Sequence, residues 1–230
     1  MLAVMFRKRA VTHRLNIVCV LCACLLLTLG QTAGASCMPA EISATCGPAD
    51  MLQGMTDRVL EEIRANPALL EDDDRVRKLA ERLILPNIDF RVASQWVLGK
   101  HWRTATGPQR DAFVREFRSM LVNTYLRSLG KYRDNTIRIL DARPGQPDGR
   151  AVVDAEVVQA NGPLVKVLFR LHRKKNDWLV YDLVVEGISL VATHRSGFSS
   201  EIREKGLDSL IAHLVILNTG EPTAAGVPDR

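Results

Sequence analysis

The sequence predicts an α+β fold in which helices pack against a four-stranded antiparallel sheet. The prediction rests on the order of two hydrophobic periods along the 230 residues. Apolar residues recur at helical spacing over residues 50–132, alternate with polar residues over 136–187, and return to helical spacing over 189–217. Short turns join the alternating segments, which indicates antiparallel pairing, because parallel strands need a crossover of about a dozen or more residues.

The chain begins with the features of a secretory signal peptide. Basic residues are followed by the apolar run Ile17–Leu29, and Ala33-Gly34-Ala35 supplies small residues for cleavage. The run is too short to cross a bilayer, which takes about 18 or more apolar residues. We therefore predict residues 1–35 to be a cleaved signal peptide and residues 36–49 to be a flexible start of the mature chain.

Two amphipathic helices are predicted next, over residues 50–65 and 74–85, with Asn66-Pro67 between them. Asp50 and Asp74 are the predicted N-caps, because an aspartate oxygen accepts hydrogen bonds from the free N–H groups of a first turn. Each helix carries apolar residues at the spacing of one face. These are Met51, Met55, Val59 and Ile63 in the first helix, and Val76, Leu79, Ala80, Leu83 and Ile84 in the second.

A short helix and a long helix follow. Asp89 is the predicted cap of the short helix, which ends at Gly99. Thr106 and Gln109 have the spacing of a capping box, with Pro108 in the first turn of the long helix. Gly130 is its predicted end. Its inward row is Phe113, Phe117, Met120, Leu121, Tyr125 and Leu129.

Four strands are predicted from strict alternation, and their turns from glycine, proline and asparagine. Asn161-Gly162 is a two-residue hairpin signal, Arg143–Gly149 links the first two strands, and Arg173–Asp177 forms a longer turn. The alternating residues are Ile137 and Ile139, then Val153, Ala155 and Val157, then Val165, Val167, Phe169 and Leu171, and finally Leu179, Tyr181, Leu183 and Val185.

The C-terminal part of the chain is predicted to be helical over residues 189–217. A break at Gly206 and a restart at Asp208 divide this region, and residues 218–230 form a loose tail. Residues 50–217 are expected to form one domain, since its sheet and its amphipathic helices each have an apolar face that the other can cover.

The charge of the predicted mature chain argues against nucleic-acid binding. The whole chain has 31 basic and 26 acidic residues, a net charge of +5, but four of the basic residues and none of the acidic ones lie in residues 1–35. The remaining 27 against 26 give +1, without the basic excess of a nucleic-acid-binding domain. Two local groups could attract lipid phosphates or an acidic partner, or could simply be solvated: Lys100, Arg103, Arg110 and Arg115, and the turn Arg173–Lys175.

The cysteines and histidines do not have the spacing of a metal site. Cys37 and Cys46 remain after signal cleavage, and in an oxidising compartment a disulfide between them is favoured over zinc, which needs four ligands. Free thiols are one alternative. A lipoprotein signal is another, because Leu21-Cys22-Ala23-Cys24 and Gly34-Ala35-Ser36-Cys37 each place a cysteine after small residues. The acidic run Glu71–Asp74 is interpreted as a solvated helix start, and the histidines are scattered. No metal or cofactor is expected.

Two segments of the chain resemble the MlaC family, also called the toluene tolerance family. The first is Ile84–Arg110, in which Pro86, Asp89 and Gly99 stop or start helices and two tryptophans lie between them. The second is Trp178-Leu-Val-Tyr-Asp-Leu-Val-Val-Glu-Gly-Ile-Ser189, followed by Lys205-Gly206-Leu207-Asp208. The resemblance implies a twisted sheet of the cystatin-like or nuclear-transport-factor-like cone, with helices enclosing an apolar cavity.

The resemblance also implies a function without catalysis. Members of the family are periplasmic phospholipid carriers that exchange lipid with an outer-membrane lipoprotein complex and an inner-membrane ABC transporter of the Mla type, which maintains outer-membrane lipid asymmetry. We expect a monomer that holds acyl chains in its cavity. The expected lining residues, each of which could equally be ordinary core, are Phe117, Leu121, Tyr125, Val153, Val157, Val167, Phe169, Leu183 and Val185.

Three alternatives to this function stay open. One is a carrier of another apolar lipid, such as a hopanoid. Another is a small-molecule enzyme on the same scaffold, in which Tyr125 or Tyr181 acts with Asp182. Asp182 and Glu186 could form an acid and base pair, although cross-strand salt bridges with Lys166 and Arg170 explain them better. The third alternative is an envelope scaffold that binds no ligand.

Overall fold

The computed structural model describes residues 46–126, 136–158 and 162–219. The chain divides into two compact units. Unit 1 comprises the described parts of Met1–Asp89 and Tyr125–Leu190, and unit 2 comprises those of Phe90–Thr124 and Val191–Arg230. Within the described residues, no helix is long and apolar enough to cross a membrane.

Unit 1 begins with two helices, α1 (Pro48–Ala65) and α2 (Asp73–Leu83). Short 3₁₀ turns follow them at Pro67–Glu71 and Leu85–Asn87. The predicted helices are confirmed, but the predicted caps are wrong. Asp50 lies inside the first turn of α1 and accepts from the Gly47 N–H at 2.9 Å. Asp72, rather than Asp74, caps α2, because Asp72 has an extended backbone and accepts from the N–H groups of Asp74 and Arg75.

The sheet of unit 1 is antiparallel with strand order β1-β2-β3-β4-β5. It contains one strand more than the four predicted. Glu186 and Gly187 have positive φ values of 47° and 79°, so the chain reverses and Ile188 pairs with Val185. The strands are β1 (Thr136–Gly145), β2 (Arg150–Val158), β3 (Val165–Lys174), β4 (Asp177–Val185) and β5 (Ile188–Ser189).

A β-bulge in β4 changes which residues share a face. Arg170 pairs with Asp182 but Leu171 pairs with Val180, so Tyr181 is the extra residue. The predicted alternation through Leu179, Tyr181, Leu183 and Val185 is therefore wrong before the bulge. Val180, in place of Leu179, lies on the face of Leu183.

The β-turns are described in two of the three predicted places. Both are shorter than predicted. The turn between β1 and β2 has four residues, 146–149, because Arg143–Gly145 belong to β1, and the turn between β3 and β4 has only two, Lys175 and Asn176. Lys175 has φ 57°, as a tight hairpin requires. Asn161 lies outside the described residues.

Unit 2 is helical. The capping box is confirmed, because the Thr106 N–H donates to Gln109 Oε1 at 3.0 Å and the Gln109 N–H donates to Thr106 Oγ1 at 3.3 Å. Gly206, with φ 87°, separates the last two helices as predicted. The predicted end of the long helix at Gly130 lies outside the described residues. The helices are α3 (Phe90–Leu98), α4 (Lys100–Thr104), which was not predicted, α5 (Gly107–Leu126), α6 (Leu190–Lys205) and α7 (Leu207–Thr219).

Candidate functional site

One face of the sheet in unit 1 is apolar throughout β2, β3 and β4. Residues directly opposite each other in an antiparallel pair point to the same face. The register therefore aligns the apolar residues in rows across the strands, and it brings all six sheet residues predicted from the sequence onto one face. The rows are Val157 and Val165; Ala155, Val167 and Val185; Val153, Phe169 and Leu183; and Ala151, Leu171 and Val180.

The six predicted residues differ in how deeply they are buried. Val153 and Val157 are fully buried, Val167, Phe169 and Val185 nearly so, and Leu183 is half-buried. A ligand can therefore contact Val153 or Val157 only after neighbouring side chains move, because protein interiors are packed as closely as organic crystals. Leu183 needs less rearrangement.

The opposite face of the sheet carries cross-strand ion pairs. Arg138 pairs with Glu156, and Arg143 binds both oxygens of Asp154 at 2.7–3.0 Å. The two faces thus differ sharply in polarity, as expected for an antiparallel sheet with one face toward a core.

Asp182 is the buried member of a third ion pair on this face. Its Oδ2 accepts from Arg170 Nη1 at 2.9 Å and from Ser189 Oγ at 2.7 Å, and its Oδ1 accepts from the Leu183 N–H at 2.9 Å. The predicted salt bridge to Arg170 is confirmed. The Glu186 carboxylate instead accepts from the backbone N–H of Lys166.

The predicted helix residues Phe117 and Leu121 belong to the hydrophobic core of unit 2. The Phe117 ring stacks on Phe113 with 5.5 Å between centroids and meets the edges of Phe198 and His194. Leu121 packs against the same core. Tyr125 is buried near the end of α5, where the chain enters unit 1.

His194 in α6 was not among the residues predicted from the sequence to form a core. Its ring lies 5.5 Å from those of Phe117 and Phe198, and burial lowers its pKa from 6.5 to about 4. A neutral histidine therefore serves as one of the rings of this core. The available signal was its helical spacing from Val191 and Phe198, two residues on the predicted apolar face.

Most of the segment Ile84–Arg110, which resembles the MlaC family, belongs to unit 2. Trp102 is buried, and the guanidinium groups of Arg91 and Arg110 each lie 5.4 Å from its ring. Arg110 Nε also donates to the Trp102 carbonyl at 2.9 Å. Trp96 is exposed at its surface. Of the two tryptophans in the segment, only Trp102 is thus part of the core.

Asp89 connects its own loop to the sheet in unit 1. Its buried carboxylate lies 3.2 Å from His172 Nε2 and 3.3 Å from Lys174 Nζ, and its N–H donates to the Val180 carbonyl. The residue directly precedes α3, as a cap must. The salt bridge to Lys174 also shows that one of the predicted basic groups is partly used within the protein.

The remaining predicted site concerns Cys37 and Cys46. Cys46 is disulfide-bonded. Cys37 lies outside the described residues, so the pairing of these two cysteines stays a prediction. Within the described ranges, no group of three or more His, Cys, Asp or Glu side chains is placed to hold a metal ion.

Comparison with known proteins gives one consistent result. A family model described as MlaC protein matches residues 53–215. The chain is 25% identical over 175 residues to the intermembrane phospholipid transport system binding protein MlaC of Haemophilus influenzae, covering 74% of this chain and 82% of that protein. It is 26% identical over 163 residues to toluene tolerance protein ttg2D of Pseudomonas putida, covering 70% and 75%.

A solved structure resembles this fold. The phospholipid-binding protein from Ralstonia solanacearum, solved in complex with a phospholipid, matches with a TM-score of 0.68 and 28% sequence identity. The match covers 76% of this chain and 98% of the solved chain.

Proposed function

The chain belongs to the MlaC family, and from this membership we propose that it is a periplasmic carrier that binds phospholipid acyl chains and shuttles lipid between the outer and inner membranes. The observation that carries the proposal is the uninterrupted apolar face of the sheet, in a chain similar to a structure solved with a phospholipid. The predicted signal peptide and the disulfide at Cys46 support an oxidising compartment outside the cytoplasm.

The energy of lipid hydration explains why a carrier needs such a face. At about 0.8 kcal/mol per methylene, a sixteen-carbon acyl chain left in water costs about 12 kcal/mol. A carrier must therefore enclose nearly the whole tail, while the headgroup can stay hydrated. Aliphatic side chains without polar groups suit this task, and the rows centred on Val153 and Val167 consist of such residues with one phenyl ring.

We place the acyl chains against the sheet residues nominated from the sequence. Because Val153 and Val157 are fully buried, entry of a tail requires side chains to move apart, and half-buried Leu183 is the first of the set to be reached. That Phe117, Leu121 and Tyr125 also contact the lipid stays a prediction from the sequence. Such a site binds by expanding, so a docked partner that favours the closed state would expel the lipid.

The proposed partners are an outer-membrane lipoprotein complex and an inner-membrane ABC transporter of the Mla type. The name of the Haemophilus influenzae relative, an intermembrane phospholipid transport system binding protein, supports an assignment to such a system. We propose that the carrier works as a monomer, since each copy then presents its own site to each membrane complex.

Native mass spectrometry of the protein purified from its host tests the proposal. We expect the mass of a two-tailed phospholipid bound to the chain. A co-purifying hopanoid would instead identify the protein as a carrier of another apolar lipid. Protein without any bound lipid would refute the carrier function. Turnover of a small carbonyl compound by delipidated protein would favour the enzyme instead.

Two neighbouring valines of β2 provide a matched pair of variants. Val153 lies on the apolar face and Val152 on the opposite face of the same strand. Val153→Phe is expected to reduce the lipid-bound fraction, whereas Val152→Phe leaves it unchanged. Leu183→Trp tests the same site at a half-buried position that tolerates added volume, and melting temperatures separate loss of lipid from loss of fold. An equal lipid-bound fraction in all three variants would show that the apolar face of the sheet is not part of the binding site.

A further inference from the structure

We infer that a basic patch on unit 2 is a docking surface for the acidic face of a partner protein. The basic patch consists of Lys100, His101, Arg195 and Arg203, together with the hydroxyl groups of Ser199 and Ser200. It is built from α4 and α6, which lie about a hundred residues apart in the sequence.

The side chain of Arg195 lies close to Gly99, at the break between α3 and α4. Gly99 has φ 54°, and a Cβ atom placed on Gly99 would lie only 2.8 Å from Arg195 Nη2 and 2.9 Å from its Cζ. The guanidinium group therefore lies directly over the glycine, next to Lys100. Only a residue without a side chain allows this approach.

Arg203 and His101 meet at Ser199. Arg203 Nη1 donates to Ser199 Oγ at 3.0 Å, and His101 Nε2 lies 3.5 Å from the same oxygen. Arg203 Nη2 also reaches Ser200 Oγ at 3.3 Å. Because residues 195, 199 and 203 are four apart on α6, they follow one another along one side of the helix.

The positive charges of the patch are not neutralised internally. In the described part of the chain, neither Lys100, Arg195 nor Arg203 forms an ion pair with a carboxylate. Glu204 is the adjacent acidic residue, and its carboxylate accepts from Ser200 Oγ at 3.3 Å. The pKa of His101 is lowered first by burial and then by the charges of Lys100 and Arg203, which places those two cations close to its ring.

Other basic residues that the sequence singled out are engaged elsewhere. Arg110 binds the Trp102 carbonyl, Arg115 pairs with Glu116, and Lys174 pairs with Asp89. Lys100 is the member of the predicted group that joins the patch, and the fold adds Arg195 and Arg203.

The geometry favours a protein partner over a lipid bilayer. The Arg203 guanidinium is restrained by serine hydroxyls, and the Arg195 guanidinium lies close to Gly99. A restrained guanidinium fork matches the two oxygens of a carboxylate. Binding to a bilayer uses apolar side chains that enter the interface together with flexible cations. The six side chains of the patch are all polar or charged.

The choice of partner rests on the proposed function, in which the carrier docks on membrane complexes. The test measures association with the inner-membrane ABC transporter and the outer-membrane lipoprotein complex of the host, each in nanodiscs of phosphatidylcholine. The variant Lys100→Glu/Arg203→Glu reverses two charges and leaves Arg195 over Gly99. The matched control Arg173→Glu/Lys175→Glu reverses two exposed charges, one at the end of β3 and one in the β3–β4 turn.

We expect the patch variant to associate with at least one complex about tenfold more weakly at low salt, mainly through a slower on-rate, with the control unchanged. Added salt should weaken the association of the wild-type protein with the same complex. No loss in the patch variant, or an equal loss in the control, would overturn the inference. Loss confined to phosphatidylglycerol vesicles would assign the patch to a bilayer instead.

Two further measurements keep these outcomes interpretable. If the melting temperature of Lys100→Glu/Arg203→Glu falls, the neutral variant Lys100→Gln/Arg203→Gln replaces it and is expected to show a smaller loss in the same direction. Phospholipid bound to the wild-type protein is measured separately by native mass spectrometry. Its absence would refute the carrier function, whereas undisturbed docking of the patch variant refutes only the docking surface.

Discussion

Acidification should destabilise this protein through His194 more than through an ordinary histidine. The ring is half-buried among the phenylalanines of unit 2, and this burial lowers its pKa from 6.5 to about 4. The folded state therefore resists protonation at a pH where the unfolded chain already accepts a proton. This contribution to stability is complete above about pH 6.5 and is lost as the pH falls toward 4.

The two pKa values set the size of the effect. Proton uptake by the unfolded state lowers the free energy of unfolding by about 2 kcal/mol at pH 5 and by about 3 kcal/mol at pH 4, relative to pH 7.5. Small domains are stable by only about 5–15 kcal/mol, so a loss of this size is readily measured.

Urea denaturation followed by circular dichroism between pH 7.5 and pH 4 measures this loss. Other groups titrate over the same range, so the relevant quantity is the difference between the wild-type protein and His194→Leu, which cannot be protonated at this position. The variant should lose about 3 kcal/mol less than the wild-type protein on acidification to pH 4. Phe113→Leu is the control, because it perturbs the same core without removing a titrating group and should keep the wild-type pH dependence. Parallel pH curves for the wild-type protein and His194→Leu would refute the assignment.

Three substitutions test other contacts by the free energy of unfolding. Gly99→Ala should destabilise by about 1–3 kcal/mol, because alanine is strained at positive φ and its Cβ would displace Arg195; an unchanged value would contradict that contact. Asp182→Ala should cost about 2 kcal/mol, because it removes the acceptor for Arg170, whose exposed guanidinium can then bind water instead. A much larger loss would mean that the Arg170 guanidinium cannot reach water. Phe117→Ala should cost about 3–5 kcal/mol as a large-to-small change in a packed core, and a loss below 1 kcal/mol would show that the core collapses around the gap.

The helices were predictable because their signals are local. The Thr106–Gln109 capping box and the break at Gly206 involve residues within one turn of each other, and both were found as predicted. The predicted N-cap was wrong where several neighbouring residues could each cap the helix. Several aspartates stand at the start of α2, and only the backbone after the preceding 3₁₀ turn decides that Asp72 is the cap.

The candidate site was predictable in part for the same reason. Alternation assigned Val153, Val157, Val167 and Phe169 to one face, and the register agrees. The bulge at Tyr181 was not predictable, because an extra residue in one strand is defined only by its pairing with another.

The sequence by itself determined the order of the longer helices and of the first four strands, the contrast between an apolar and a charged sheet face, and the family, because all of these follow from spacing along the chain. Only the tertiary structure decided the β5 reversal, the neutral His194 among aromatic rings, and the position of Arg195 over Gly99 beside Lys100. Each of these depends on the backbone conformation that a residue adopts or on a contact with a side chain distant in sequence. The spacing of residues along a chain carries no information about either.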